Sequence, residues 1–510
     1  MSRVHVELQR VQTWLFAVPR LRAMVGANTL LGEVLRIRLP ALAREQSSWR
    51  LTGGLEGYPS AAAEDPLSGH DNPASDAREG IVSRDGGHFE AEFVSGEREF
   101  VIAAAALLRR ELPGIRFRIS VDKVEQRAAS KGLSTELPVL APCEWTGRGL
   151  ASVMIRQGDE RVSVSLDVSR RHEAATRAER DKAQDLASLL KGTTKLEGIP
   201  RARTFQGLAG RGYLALIHAD GNGVGSAAGS SDVERAAFFH QNRVLLRRAL
   251  RAAIDAQCEG VDIAPLQLLM LGGDDVLVVS RAETAFPLVV KLCEELDKLQ
   301  GDDKAGFKLT LGVGVVFARP TIPIHRLHEV AERLAASAKR RFRGFSEGER
   351  RSVADWAVYT TAWVDDPEEV RRRDWVRGVG NDARALSRRP VDVLGGGLDS
   401  LQGLLGAAEK IKDAPRSQFR YLVEQLPRGR ALSDLAYAEL SPEARKALGN
   451  AGVKKVWART NSGPSLTSVL DLVEVSEINR LGRAGTIIDE PILEEDSWGT
   501  AHVETKEKAD

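Results

Sequence analysis

The sequence is short of cysteine and of aromatic residues. Three cysteines, Cys143, Cys258 and Cys293, stand among 510 residues, and Phe, Trp and Tyr together make up 5%. An odd, widely spaced set of cysteines excludes a disulfide framework and a four-cysteine zinc clamp, and it fits a reducing, cytoplasmic setting. An uninterrupted apolar run of about 18 residues is also missing, so no membrane-spanning helix is expected. The first ten residues alternate polar and apolar side chains and lack the apolar core of a signal peptide. Charge of one sign is lacking too: 72 basic residues offset 71 acidic ones for a net +1, so the whole-chain charge does not argue for nucleic-acid binding, although a local basic face stays open. What is present, 43% hydrophobic and 28% charged residues, is the composition of a folded chain.

Four regions and a tail follow from the patterning. Residues 1–140 open with a strand-like alternation, Val4 to Leu8, and continue into an apolar, helix-like stretch from Gly26 to Leu42. A Gly/Pro/Ser/Asp-rich surface loop is expected over 52–80, then a turn at Gly86-Gly87 entering a strand, a helix over 97–112 and a strand over 116–122. Residues 141–205 read as a small connector. In 206–365, the apolar strand 213–219 precedes a Ser231-x-x-Glu234 capping box, and the helix after it carries Phe239, Leu246, Leu250 and Ile254 at helical spacing. A strand over 266–271, the tight turn Gly272-Gly273-Asp274-Asp275 and a returning strand over 276–280 come next. A helix over 283–299, a strand over 309–317 and a last helix bearing Leu327, Val330, Ala331, Leu334 and Ala338 complete a βαββαβ order, the split arrangement of ferredoxin-like and palm domains. Residues 366–490 read as helical and 491–510 as a disordered tail. The fold class expected is α+β.

In a βαββαβ sheet the first and third strands are neighbours, so the hairpin between strands two and three lies beside the end of strand one. That brings Asp274 and Asp275 to Asp220. Converging carboxylates, with the Gly221 carbonyl as a further ligand, make the hard-oxygen site that magnesium or manganese prefers, and two such ions can serve an attacking hydroxyl and a leaving pyrophosphate. Gly272 and Gly273 permit a turn with positive φ and close approach of a nucleotide. Gly221, Gly223 and Gly225 leave backbone amides to face phosphates at the start of the next helix, and Lys339 supplies a cation for a triphosphate. Taken singly, the turn is a common hairpin, Asp220 a helix cap and Lys339 part of a solvated Lys-Arg-Arg face. The combination points to catalysis.

These residues resemble a known family. His218-Ala219-Asp220-Gly221-Asn222-Gly223-Val224-Gly225 and Leu271-Gly272-Gly273-Asp274-Asp275-Val276, with Leu311 to Val315 and Ala336 to Arg340, look like the second palm of the large polymerase/cyclase subunit of type III CRISPR effector complexes. Residues 11–16 and 21–31 resemble the opening of that family's first palm, Asp85 to Phe89 its degenerate turn, Pro142 to Gly147 its connector, and Pro415 to Phe419 its C-terminal helical domain. The resemblance implies two palms, the first structural, and an enzyme that makes cyclic oligoadenylates from ATP. Asp220, Asp274 and Asp275 would bind two Mg2+ or Mn2+ ions and Lys339 would contact the triphosphate. It also implies partners: other effector subunits, guide RNA and target RNA, and no membrane.

Departures from the family are expected as well. The sequence opens at the first palm, a form lacking the HD nuclease; His70-Asp71 sits in a loop without the companion residues of that motif. Cys143 has no partner cysteines in the connector, so no zinc is expected. Asn222 stands where many relatives carry a second Asp. Four alternatives stay open: a diguanylate-cyclase-like enzyme, a product in which AMP is joined to another small molecule, a non-catalytic scaffold for guide RNA and partner subunits, and a standalone defence or signalling enzyme of this architecture that lacks guide RNA.

Overall fold

The computed structural model describes residues 1–44, 48–53, 76, 79–84, 86–126, 141–157, 160–181, 195, 199–210, 212–229, 231–301, 307–359, 366–379, 382–458 and 463–481. Most of the loop expected over 52–80, including His70-Asp71, lies outside these residues, as do Asp85 and the whole of 491–510. Among the described residues no helix is long and apolar enough to cross a membrane.

Two sheets share one topology, the first antiparallel throughout and the second with one parallel pair, between its fourth and fifth strands. The first contains β1 (Ser2–Gln9), β2 (Arg50–Leu51), β3 (Ile81–Ser83), β4 (His88–Ser95), β5 (Arg116–Val121) and β6 (Val124–Gln126), in the order β2-β4-β1-β5-β6 with β3 also on β4. Helix α1 (Leu21–Glu33) leaves β1, and α2 (Glu97–Glu111) joins β4 to β5. The helix expected from Gly26 to Leu42 therefore starts earlier, and it is interrupted by a wider π-helical turn, Val34–Arg38, before resuming as Leu39–Arg44. After the hairpin of β7 (Val153–Gln157) and β8 (Glu160–Val164), helix α3 (Leu166–Asp181) packs back onto α1. Gly26 makes that crossing close: a Cβ there would meet the Arg171 carbonyl oxygen at 1.8 Å. The wholly buried Arg171 guanidinium donates to the carbonyls of Leu15 (3.1 Å) and Trp14 (2.8 Å) and pairs with Asp167 at 2.9 Å.

The second sheet holds β9 (Leu214–Gly221), β10 (Leu266–Gly272), β11 (Asp275–Arg281), β12 (Leu311–Ala318) and β13 (Val353–Tyr359) in the order β10-β11-β9-β12-β13, with Val391–Asp392 beyond β13. Here too the opening strand is central: β9 lies between β11 and β12 as β1 lies between β4 and β5. On one face pack α4 (Asp232–Gln257) and α5 (Ala282–Gln300); on the other lie α6 (Ile324–Arg343) and elements of the first unit. The two-residue period of a strand divides β9 between these faces. Ala215, Ile217 and Ala219 join the core under α4 and α5, whereas Leu214 and Leu216 join the core shared with β1, α1 and α6.

The capping box is present: Ser231 Oγ accepts from the Glu234 amide and Glu234 Oε2 from the Ser231 amide, each at 3.2 Å. Leu246, Leu250 and Ile254 are buried as their spacing predicts, but Phe239 is 42% exposed. The buried run of α4 begins only at His240, and the neighbouring Phe238 finds an aromatic partner instead, Phe307, with ring centroids 5.0 Å apart. The C-terminal region contains α7 (Leu401–Ile411), α8 (Arg416–Gln425), α9 (Arg430–Glu439), α10 (Pro442–Asn450) and α11 (Val469–Leu481). It is tied to the second sheet through the buried pair Arg389–Asp471 (2.9 Å) and the Trp356 indole, which donates to Glu474 at 2.8 Å.

Candidate active site at the edge of the second sheet

Strand register builds the site. Asp220 is the penultimate residue of β9, and Asp275, first in β11, is its direct partner across the antiparallel pair. Gly272 closes β10 opposite Asp275, leaving Gly273 and Asp274 as the turn. Gly273 has φ +59°, a conformation that glycine adopts without the penalty of a Cβ. Asp274 folds over the end of β9: a Cβ on Gly221 would lie 2.6 Å from Asp274 Oδ2. The predicted carboxylates thus share one corner with Gly221, Gly272 and Gly273.

Lys339 comes from α6, and its ammonium is bonded to Asp220 Oδ2. Gly312, opposite Asp220 on β12, gives the lysine stem its room, since a Cβ there would meet Lys339 Cγ at 2.7 Å. Gly223 opens the chain after β9 with φ +69°, but the helical turn that follows, Val224–Ala227, is four residues long, and Gly225 lies inside it. The long helix starts only at Asp232. So Gly223 caps, and Gly225 lies within, the next helix, but that helix is a single turn and sums little macrodipole.

Crowded carboxylates disfavour each other's ionisation. Burial, then Asp220 and Asp275, pushes Asp274 up to about 6. Burial and then Asp275 raise Asp220 as well, against the pull of Lys339. Asp275 Oδ1 is buried without a hydrogen-bond partner. Such a corner calls for cations.

Several neighbours were not singled out from the sequence. His218, two residues before Asp220 and so on the same face of β9, is 5% exposed, with Nε2 3.7 Å from Asp275 Oδ1. Its ring stands 5.7 Å from that of His328 on α6, which burial and then His218 hold down at about 3, an uncharged imidazole near neutrality. His328 Nδ1 in turn lies 3.7 Å from Glu332. The period-two spacing of His218 and Asp220 was the available signal; nothing in the sequence pairs His218 with His328. Asn222 is 1% exposed, donates to Thr310 Oγ1 at 3.1 Å and leaves Oδ1 unpartnered. The turn of the first sheet also reaches this corner, since a Cβ on Gly272 would come 3.6 Å from Gly86 Cα. β1 ends in Leu8 and Gln9 where β9 ends in Asp220 and Gly221, so the first unit has no acidic residue at the position that matches Asp220; its nearest strand carboxylate is Glu7, opposite His88. In the connector, Cys143 packs among Ile155, Val164 and Val168.

Residues 213–345 match the family described as Cas10/Cmr2, second palm domain. No curated protein matches the chain in sequence. Among solved structures, the apo Csm1-Csm4 cassette is similar at 14% identity and a TM-score of 0.45, over 94% of this chain and 70% of that one. The Csm1-Csm4 cassette in complex with AMPPNP (14%, TM-score 0.44) and the Csm1-Csm4 subcomplex of the type III-A CRISPR-Csm interference complex (15%, TM-score 0.44) are similar over 94% of this chain and 69% of theirs. Likenesses at this level do not extend the family match beyond residues 213–345.

Proposed function

We propose, for a chain whose residues 213–345 are a second palm domain of the Cas10/Cmr2 family, that the protein is a nucleotidyltransferase making cyclic oligoadenylates from ATP within a type III CRISPR effector. The observation that carries this reading is the direct pairing of Asp220 with Asp275 at a sheet edge, with Asp274 in the adjoining turn.

The donor set fits Mg2+ or Mn2+. It offers hard oxygens, a buried carboxylate oxygen with no partner, and an Asp274 carboxyl whose ionisation is held back by burial and by the neighbouring Asp220 and Asp275. Among the described residues no three ligating side chains converge tightly enough to cage an ion unaided. That suits magnesium, which usually keeps several waters and takes one or two carboxylates plus substrate phosphates. Asp220, Asp274, Asp275 and the Gly221 carbonyl would hold the ions. Bound there, they would activate the attacking 3′-hydroxyl and neutralise the departing pyrophosphate.

The chain's own groups do the rest. In the reaction the 3′-hydroxyl of one nucleotide attacks the α-phosphate of another, and pyrophosphate leaves. Lys339 holds Asp220 until substrate arrives and then turns to the triphosphate. Gly272 and Gly273 keep the turn free of side chains, so that a nucleotide can lie against the backbone. Guide RNA, target RNA and other effector subunits are the partners this reading requires.

The test is mass spectrometry of products after incubation with ATP and Mg2+ or Mn2+, with and without the effector complex and target RNA, beside Asp274→Ala/Asp275→Ala. Oligoadenylates from the native chain alone support the proposal. No product under any condition, with ATP binding also absent, returns the scaffold reading.

A further inference from the structure

The C-terminal helical region holds a cleft of about 1060 Å³ that shares no residue with the palm site. Its walls come from residues 388–410 and 450–458, with Leu466 and Ser468. Glycines 395–397, Gly403, Gly406 and Gly452 line it, together with Arg388, Lys410, Lys454 and Lys455, against one carboxylate, Asp399. The three lysines are exposed, and among the described residues none is paired with a carboxylate. Arg388 Nε is buried in the wall without a hydrogen-bond partner, although its backbone amide is tied to Asp471 at 2.8 Å. Elsewhere in the same region Arg416 and Arg420 both sit on the carboxylate of Glu477. Four cations left facing one space, beside glycines whose missing side chains expose the backbone, are a site for a polyanion.

We propose that this cleft binds the phosphodiester backbone of a single-stranded nucleic acid. The lysines act as point charges on successive phosphates, and at Gly396 and Gly406, where nothing lies within 4 Å of a Cβ position, the strand can rest against main chain. Base reading is not built in. The one aromatic in the wall, Trp457, is 9% exposed and its indole nitrogen is committed to Ser433 Oγ at 2.7 Å, so no ring is offered for stacking. Binding is therefore blind to sequence and steeply dependent on salt, as phosphate-only recognition is. The site stands apart from the catalytic reading, because its readout needs neither ATP nor the palm carboxylates.

The experiment is fluorescence anisotropy of the full chain with a labelled oligouridine of about 16 nucleotides, over a series of salt concentrations, with oligothymidine of equal length in parallel. Lys410→Ala/Lys454→Ala/Lys455→Ala should weaken RNA binding at least tenfold and flatten the log–log salt slope by about 2. Gly406→Glu keeps every lysine but puts a carboxylate in open space within the cleft, and it should weaken binding likewise. Lys446→Ala, an exposed lysine of α10 outside the cleft, and Asp274→Ala/Asp275→Ala should bind as the native chain does. DNA should bind within a few-fold of RNA, since only phosphates are read. Native affinity in both cleft variants, an unchanged salt slope, DNA that does not bind, or polyglutamate that competes as well as RNA would each overturn the proposal.

Discussion

Lys339 reaches across 119 residues of chain to bond the Asp220 carboxylate, and in doing so it joins α6 to the end of β9. On the proposed mechanism this cation serves two anions in turn. Lys339→Ala should raise the KM for ATP and lower kcat together, by roughly 10- to 100-fold in kcat/KM, the size of a lost charge-assisted hydrogen bond. Steady-state kinetics on ATP check this; an unchanged kcat/KM would leave Lys339 as a structural partner of Asp220 alone.

The raised Asp274 carboxyl sets a pH dependence. Its folded value, about 6, stands above the ordinary carboxylate value near 3.9 of the unfolded chain. The stabilisation from its protonated form is complete below about 4 and is lost as pH rises through about 6. Asp274→Asn removes that loss. The variant should therefore gain melting temperature over the native protein between pH 5 and pH 7.5 in the absence of divalent ions. Across the same window Mg2+ should bind the native chain more tightly as protons leave the site. Thermal melts at the two pH values, with and without Mg2+, measure both effects.

Gly221, Gly223 and Gly225 should answer differently to alanine. At Gly221 the new Cβ meets Asp274 Oδ2 at 2.6 Å and Val224 Cγ2 at 2.6 Å, so Gly221→Ala should displace the turn carboxylate and cut nucleotide synthesis by two orders of magnitude or more. Gly223→Ala forces a Cβ onto φ +69° and should cost roughly 1–2 kcal/mol of stability. Gly225→Ala enters open space and should leave both activity and melting unchanged.

Far from the site, Gly26→Ala should destabilise the protein by roughly 1–3 kcal/mol, because the crossing of α1 and α3 has no room for a methyl group against the Arg171 carbonyl. A lower melting temperature with unaltered synthesis per folded molecule is the expected result. Full native stability would mean that the helices separate freely.

Much of the second palm was legible in the sequence because its signals are local. The capping box at Ser231, the glycine turn before Asp274, and the apolar run of β9 each depend on a few adjacent residues, and the sheet order that pairs Asp275 with Asp220 follows from counting elements. What covers each face was not legible. Periodicity marks Leu216 and Ile217 alike as buried, but only the tertiary packing assigns one to the core with α1 and α6 and the other to the core with α4 and α5. His218 passed for a strand residue for the same reason, since its meeting with His328 depends on the placement of α6. Phe239 fits its helical stripe and is nevertheless exposed, because the stripe carries on past the packed part of the helix. The cleft of the C-terminal region depends on residues some sixty positions apart, Arg388 and Lys454 among them, each ordinary where it stands.

The division of β9 between two cores bears on how the molecule comes apart. Alternate residues of one strand are the inner wall of both halves, so neither half can melt without opening the hydrophobic interior of the other to water. The first palm is thus thermodynamically inseparable from the second. The two should unfold in a single cooperative step, and the carboxylate corner at the end of β9 gains rigidity from the first sheet.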